Sequence, residues 1–157
     1  MKFKISDYLS NLDNQVFGKQ ILYIPSTKST NDEIWNHFIN NDHLIVVTDN
    51  QTAGRGQRGN AWVSKKYKSL TFSIGLLDDK RNSSLLSLKC ALAVSNAIIK
   101  STGILASTKW PNDVLINNKT FLFSVNIKNL KFFNWSLTST YAMFELVKHC
   151  LYNTRPL

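Results

Sequence analysis

Hydrophobic positions along the chain change period several times, and each change marks an element. Gln20 to Ile24 is a short apolar-leaning run stopped by Pro25, which predicts a strand, because proline cannot donate to a ladder. Thr30-x-x-Glu33 is a capping-box pattern and predicts a helix through about Asn40, with Ile34, Phe38 and Ile39 inward. Leu44 to Thr48 is a compact β-branched run, the pattern of a buried strand. From Ser69 to Leu77 the residues Leu70, Phe72, Ile74 and Leu76 recur with period two, as on one face of a half-buried strand. Ser83 or Ser84 caps a predicted helix with apolar face Leu85, Leu88, Leu92 and Ile99, ending near Gly103. Ile104-Leu105 leads through a strand to Lys109, Val114 to Ile116 forms another after Pro111, and Asn117-Asn118 has the chemistry of a hairpin turn. Strands interleaved with helices predict an α/β or α+β domain.

Past Lys119 the pattern changes. Phe121, Phe123, Val125 and Ile127 alternate as in a strand, and Met143 to Leu151 has the length of a short helix. Yet no glycine follows Gly103, where further strands and a helix ordinarily need tight turns.

Composition narrows the class. The 157 residues, 43% apolar and 18% charged, suit one globular domain burying about two-thirds of its unfolded surface. The start reaches Asp7 before any apolar run, so no signal peptide is expected. Ser87, Lys89, Ser95 and Asn96 interrupt Leu85 to Ile99, so no membrane span is expected either. Cys90 and Cys150 make neither a disulfide framework nor a metal spacing, Cys90 reads as a small buried hydrophobe, and a reduced cytoplasm follows. His37, His43 and His149 are scattered, so no metal-ligand set is expected. The net charge of +9 points to anionic partners, but it is spread out: +6 over residues 1–119 and +3 over 120–157. Lys65-Lys66-Tyr67-Lys68 is the only basic cluster with an aromatic, too short for a nucleic-acid groove, so no nucleic-acid partner is expected.

Two segments carry chemistry. In Gln51-Thr52-Ala53-Gly54-Arg55-Gly56-Gln57-Arg58-Gly59-Asn60-Ala61-Trp62, the glycines let backbone N–H groups approach a ligand, while Arg55 and Arg58 offer planar donors to carboxylate or phosphate. Gln51 can both donate to and accept from a neutral polar head group. No Gly-Lys-Ser/Thr follows and no helix opens from the loop, which excludes a P-loop and disfavours a dinucleotide fingerprint. In Lys109-Trp110-Pro111-Asn112-Asp113, a proline-fixed turn places an ammonium group at a strand end, with Asp113 able to orient a basic group or hold a metal that accompanies nucleotide phosphates. Taken alone, either segment also fits a plain surface turn, and Ser29-Thr30-Asn31 fits a plain helix cap.

Together, Ser29-Thr30-Asn31, Gln51-x-x-Gly54-Arg55-Gly56-x-Arg58-Gly59-x-x-Trp62 and Lys109-Trp110-Pro111-Asn112-Asp113 closely resemble the catalytic module of biotin–protein ligases, in family order and spacing over roughly Ile21 to Lys119. The resemblance is to the monofunctional group, without the DNA-binding domain of repressor-type ligases. It implies a mixed β-sheet flanked by helices. It also implies an ATP-dependent reaction in which biotin becomes biotinyl-adenylate with Mg²⁺ assistance and then passes to a lysine of a biotin carboxyl carrier domain. By the same resemblance Ser29, Thr30 and Gln51 hydrogen-bond the ureido ring of biotin, with Asn31 and Gly54 in the same motifs. Arg55, Gly56 and Gln57 close over biotin and adenylate, with Gly59 ending that loop. Arg58 and Lys109 face the phosphate, Trp62 packs near adenine, and Asn112 and Asp113 organise phosphate and metal. Phosphoryl transfer suits such a site, because it needs fixed cations and N–H donors in place of a nucleophile. A lipoate–protein ligase-like acyltransferase shares the implied fold. A binding-only remnant and a basic nucleic-acid-binding domain are the readings from other classes.

Some positions depart from the family. Gln57 stands where many members are basic, and Tyr67 where a glycine is common. The family lysine that bridges biotin and phosphate falls one position early, at Lys119, with Thr120 in its place. Phe121-Leu122-Phe123-Ser124 replaces a Gly-Ile-Leu-Val-Glu-like strand, and no Gly-x-Asn-x-Asn block or small C-terminal domain follows. Residues 1–119 are therefore the expected N-terminal part of the catalytic domain. Residues 120–157 are a divergent tail of the kind a frameshift or truncated gene produces, and its loss of the next strand would leave Val114 to Ile116 as an exposed sheet edge. Translating the coding DNA after codon 119 in the other two frames should recover a ligase-like glycine strand; finding none sinks the frameshift reading.

Overall fold

The computed structural model describes residues 3–12, 18–38, 43–55, 61–64, 66, 69–76, 83–110, 113–117 and 119–121, with backbone alone at 76, 83–86 and 119–121. Helix α1 (Ile5–Asn11) comes first, and no hydrophobic period announces it. Tertiary contacts hold it: the Tyr8 hydroxyl donates to the Gly18 carbonyl, and the rings of Tyr8 and Tyr23 both lie about 6 Å from that of Phe3, at 6.1 and 5.7 Å. The buried Asp49 carboxylate completes this anchor, accepting from the Phe3 backbone N–H and the Tyr23 hydroxyl.

Strand β1 (Ile21–Ile24) and strand β2 (His43–Thr48) pair in parallel, which requires a crossover, and helix α2 (Thr30–His37) supplies it. Strand β5 (Thr71–Leu76) then adds to β2 antiparallel, giving a mixed sheet in the order β1-β2-β5. Between them β3 (Gly54–Arg55) and β4 (Ala61–Trp62) form a separate antiparallel hairpin. The register Leu22↔Val46↔Ser73 puts these residues, with Leu44 and Gly75, on one face of the sheet. There Ile34 of α2 packs on Leu44 and Val46, flanked by Leu22, Ile24 and Phe38. A Cβ at Gly75 would lie 2.8 Å from the Phe38 ring and 2.9 Å from Ile34 Cγ2, so the missing side chain is what lets α2 sit this close. On β5 the residues turned to the helix are thus small or polar (Thr71, Ser73, Gly75), while Phe72 and Ile74 are half-buried on the other face beside Val47 and Ile45.

The chain divides after Leu76 into a second compact unit. Helix α3 (Ser83–Thr102) packs on β6 (Ala106–Lys109) and β7 (Asp113–Ile116), which with β8 (Lys119–Phe121) make an antiparallel sheet in the order β6-β7-β8. Gly103 stops the helix as expected: its φ of +71° is left-handed, and its N–H donates to the Ile99 carbonyl at 2.8 Å. The expected apolar face holds only in part: Leu88 and Ile99 are half-buried, Leu92 is 46% exposed, and the buried positions are Cys90, Ala91, Ala93, Val94, Ser95, Ala97, Ile98 and Ser101. Small residues let the helix approach the sheet, and Ser95 Oγ donates across to the Ala106 carbonyl at 3.1 Å. Burial pushes the Cys90 thiol up to about 12, so it stays protonated near neutral pH, as a buried hydrophobe should.

The edge expectation also needs correcting. β7 is the central strand, paired on both sides, and Val114 is fully buried. The chain turns at Asn117, which has φ +50°, and Lys119 pairs back onto Ile116. The expected strand beyond Phe121 and the helix at Met143 to Leu151 lie outside the described residues. No described helix is long and apolar enough to cross a membrane.

Candidate ligand-binding site

The first turn of α2 is built differently from the capping box that Thr30-x-x-Glu33 suggested. Ser29 is the N-cap, with extended backbone at φ −156°, and its carbonyl accepts from the N–H groups of Asp32 and Glu33 at 3.1 and 3.2 Å. Its side chain makes no cap bond. The Glu33 carboxylate does not reach back to the cap, because the Thr27 hydroxyl donates to it instead. The cap comes from a distant residue: Thr30 N–H donates to Gln51 Oε1 at 2.9 Å.

Backbone pairing carries Gln51 there. Thr27 and Gln51 form a parallel bridge, with Thr52 N–H on the Thr27 carbonyl and Ala53 N–H on the Lys28 carbonyl, both at 2.9 Å. Gln51 Oε1 also lies 3.2 Å from Thr30 Oγ1. With its oxygen held by the helix start, the amide has only its Nε2 donors left to offer a ligand. Gly54 makes room for that amide: a Cβ there would stand 2.2 Å from Gln51 Nε2 and 2.5 Å from the Trp62 carbonyl oxygen.

Two partners escaped the sequence reading. Ser73 of β5 places its Oγ 2.7 Å from Thr30 Oγ1 and donates to Asn31 Oδ1 at 2.7 Å. Its signal was the small polar residue at every second position between the large apolar ones of β5. Asp32, in the first turn of α2, pairs with the Arg55 guanidinium. The signal there was an acidic helix start in a chain whose next motif is basic.

The structure thus brings Ser29, Thr30, Asn31, Gln51, Gly54 and Arg55 together, and Trp62 joins them as the register partner of Gly54. Ser29 and Thr30 are buried, Asn31, Gln51 and Trp62 half-buried, and Arg55 exposed. The β3–β4 hairpin is the stem of the glycine loop; Gly56, Gln57, Arg58 and Gly59 lie outside the described residues.

In the second unit Lys109 and Asp113 are register partners that close the β6–β7 hairpin. Residues directly opposite in such a ladder stand about 5 Å apart on one face. Lys109 is exposed and Asp113 half-buried, and no side-chain ion pair ties either among the described residues. Trp110 begins the turn and is 74% exposed, so packing does not account for it. Asn112 lies outside the described residues, and Lys119 is placed by its backbone alone, opposite Ile116. Among the described residues no three acidic, histidine or cysteine side chains gather as a metal site.

The sequence profile of the biotin/lipoate A/B protein ligase family matches residues 22–143, running past Lys119 into the tail. The bifunctional ligase/repressor BirA of Bacillus spizizenii is 36% identical over 125 residues, which are 75% of this chain and 38% of that protein. The biotin–[acetyl-CoA-carboxylase] ligase of Mycobacterium tuberculosis is 28% identical over 119 residues, 67% of this chain and 45% of that protein. This chain therefore spans less than half the length of either relative. Among solved structures, the biotin protein ligase of Leishmania major in complex with biotinyl-5-AMP superposes with a TM-score of 0.58 at 26% identity, over 64% of this chain and 49% of that one. A ligase of Aquifex aeolicus in complex with biotin and ATP shares the fold, with a TM-score of 0.56 at 24% identity over 86% of this chain and 70% of that one.

The geometry makes Gly54 a sharp test of the clasp. Gly54→Ala should displace the Gln51 amide and cost about 1–3 kcal/mol in denaturant unfolding. Exchange of the Thr30 amide proton should accelerate at the same time; an unchanged midpoint and unchanged Thr30 exchange would contradict the crowding at this position.

Proposed function

The chain belongs to the biotin/lipoate A/B protein ligase family, and from that premise we propose that it acts on biotin and ATP, making biotinyl-adenylate and passing biotin to a lysine of a biotin carboxyl carrier domain. In the first step a biotin carboxylate oxygen bonds to the α-phosphorus of ATP, and the bond to the β-phosphate oxygen breaks to release pyrophosphate. In the second the carrier lysine, as free amine, attacks the acyl carbon and AMP leaves. The observation that carries the proposal is the clasp of Thr30 and Gln51, two residues of separate family motifs joined by a hydrogen bond between the helix start and the half-buried Gln51 amide. A relative named for biotin ligation, and a structural neighbour holding biotinyl-5-AMP, support it.

In this reading Gln51 Nε2 donates to the ureido carbonyl, and Thr30, with Ser29 beside it, meets the ring N–H groups. Arg55, Gly56 and Gln57 cover the adenylate, Trp62 packs near adenine, and Arg58 and Lys109 answer the charge that grows on the α-phosphate. Preorganised donors of this kind are each worth about 3–4 kcal/mol in a transition state. With no resident metal cluster among the described residues, Mg²⁺ would arrive on the phosphates of ATP, with Asn112 and Asp113 as the residues that meet it. A cytoplasmic setting agrees with the buried, protonated Cys90 thiol. A binding-only role is the second reading, favoured by Thr120 at the place where family members carry their bridging lysine.

Pyrophosphate release with ATP, biotin and Mg²⁺ separates the two. Ligase action predicts turnover that Lys109→Ala abolishes, whereas biotin binding without any pyrophosphate supports the binding-only role. Turnover unchanged in Lys109→Ala would remove Lys109 from the mechanism.

A further inference from the structure

Ser73 belongs to none of the three motifs, yet its hydroxyl stands between two residues of the clasp. It donates to Asn31 Oδ1 and lies 2.7 Å from Thr30 Oγ1. A serine hydroxyl has one proton. With that proton on Asn31, the short contact to Thr30 is a hydrogen bond only if Thr30 is the donor. Thr30 also has one hydroxyl proton, and the alternative acceptor, Gln51 Oε1, is farther away at 3.2 Å. Gln51 Oε1 loses nothing by this, because Thr30 N–H already serves it at 2.9 Å. What remains on Thr30 Oγ1 is lone-pair density, its direction set by the bond on the far side.

We infer that Ser73 is a positioning residue that draws the Thr30 hydroxyl proton inward and so makes Thr30 Oγ1 a hydrogen-bond acceptor toward the ligand. The relay runs one way, from Thr30 to Ser73 to Asn31, and each bond in such a row polarises the next. Beside this acceptor Gln51 offers donors. The pair therefore matches a head group carrying N–H and C=O side by side, as a cyclic urea does, and rejects an isostere that lacks the N–H. The sheet register delivers Ser73 to this place: Ser73 pairs with Val46 on the face that α2 covers, two residues before the Gly75 that lets the helix close down. In Ser73→Ala the Thr30 proton has only Gln51 to go to, and the acceptor turns away from the ligand.

The inference rests on the biotin reading, and titration calorimetry separates the failure of one from that of the other. Biotin is titrated into the 157-residue chain and into Ser73→Ala, Ser73→Thr, Thr30→Val and the double variant Ser73→Ala/Thr30→Val. Ser73→Ala should weaken biotin binding about tenfold. Ser73→Thr keeps the hydroxyl and should stay within about twofold of the parent, and the double variant within about twofold of Thr30→Val alone, because Ser73 acts only through Thr30. Full affinity in Ser73→Ala, equal loss in Ser73→Thr, or additive losses in the double variant would each overturn the inference while leaving biotin binding intact. No binding by the parent chain would overturn both.

Discussion

An N–H in the first turn of a helix has no partner within its own helix, and at Thr30 that partner is the side-chain oxygen of Gln51, 2.9 Å away. Much of the first unit's polar arrangement depends on this bond. It closes the start of α2 with a residue from beyond β2, so helix and glycine loop cannot shift independently. It uses the acceptor of the Gln51 amide and leaves the donors. It also explains why a glycine follows three residues later, since Gly54 vacates the volume the amide occupies. An unpaired polar group here would cost about 1–3 kcal/mol, which is the scale on which the clasp resists rearrangement.

Charge is handled more loosely. Arg55 pairs with Asp32 while more than half exposed, and exposed ion pairs are worth little, about 0–1 kcal/mol. Such a pair steers the stem of the glycine loop toward α2 and yields readily to a stronger anion. Lys109 is presented differently, at the end of a strand whose hairpin is tied by β6–β7 pairing. In the proposed reaction, neutral recognition would thus rest on a half-buried hydrogen-bonded network with the Gln51 donors left over, whereas phosphate recognition would rest on cations kept near water. That division suits a reaction in which the head group is held throughout and charge develops only at the phosphorus.

The sequence made some of this legible and hid the rest for physical reasons. Strands β2, β6 and β7 and the Gly103 stop were read correctly, because each rests on a local pattern: a β-branched run, a turn residue, a left-handed glycine. Helix α1 was invisible, since a seven-residue helix held by Tyr8, Phe3 and Asp49 owes its stability to partners far along the chain. The face of α3 is only partly legible, because close packing on β6 and β7 buries Ala and Ser beside Val94 and Ile98 and leaves Leu92 outside. The capping box failed for a related reason: Thr27 claimed Glu33, and Gln51 claimed Thr30. Ser73 and Asp32 could be placed only with the register of β5 and the first turn of α2 in hand. The motif residues Thr30, Gln51 and Gly54 were legible as candidates without it, and the structure brings the three together.

The central claim is that this meeting point holds a biotin head group, with Gln51 donating to it. The direct measurement is the side-chain amide resonance of Gln51, followed by NMR as biotin is added to the whole chain. The account predicts a saturable shift of the two Nε2 protons, together with the Thr30 amide, at one biotin per chain. Resonances of Gln51 and Thr30 that stay in place at saturating biotin would contradict it.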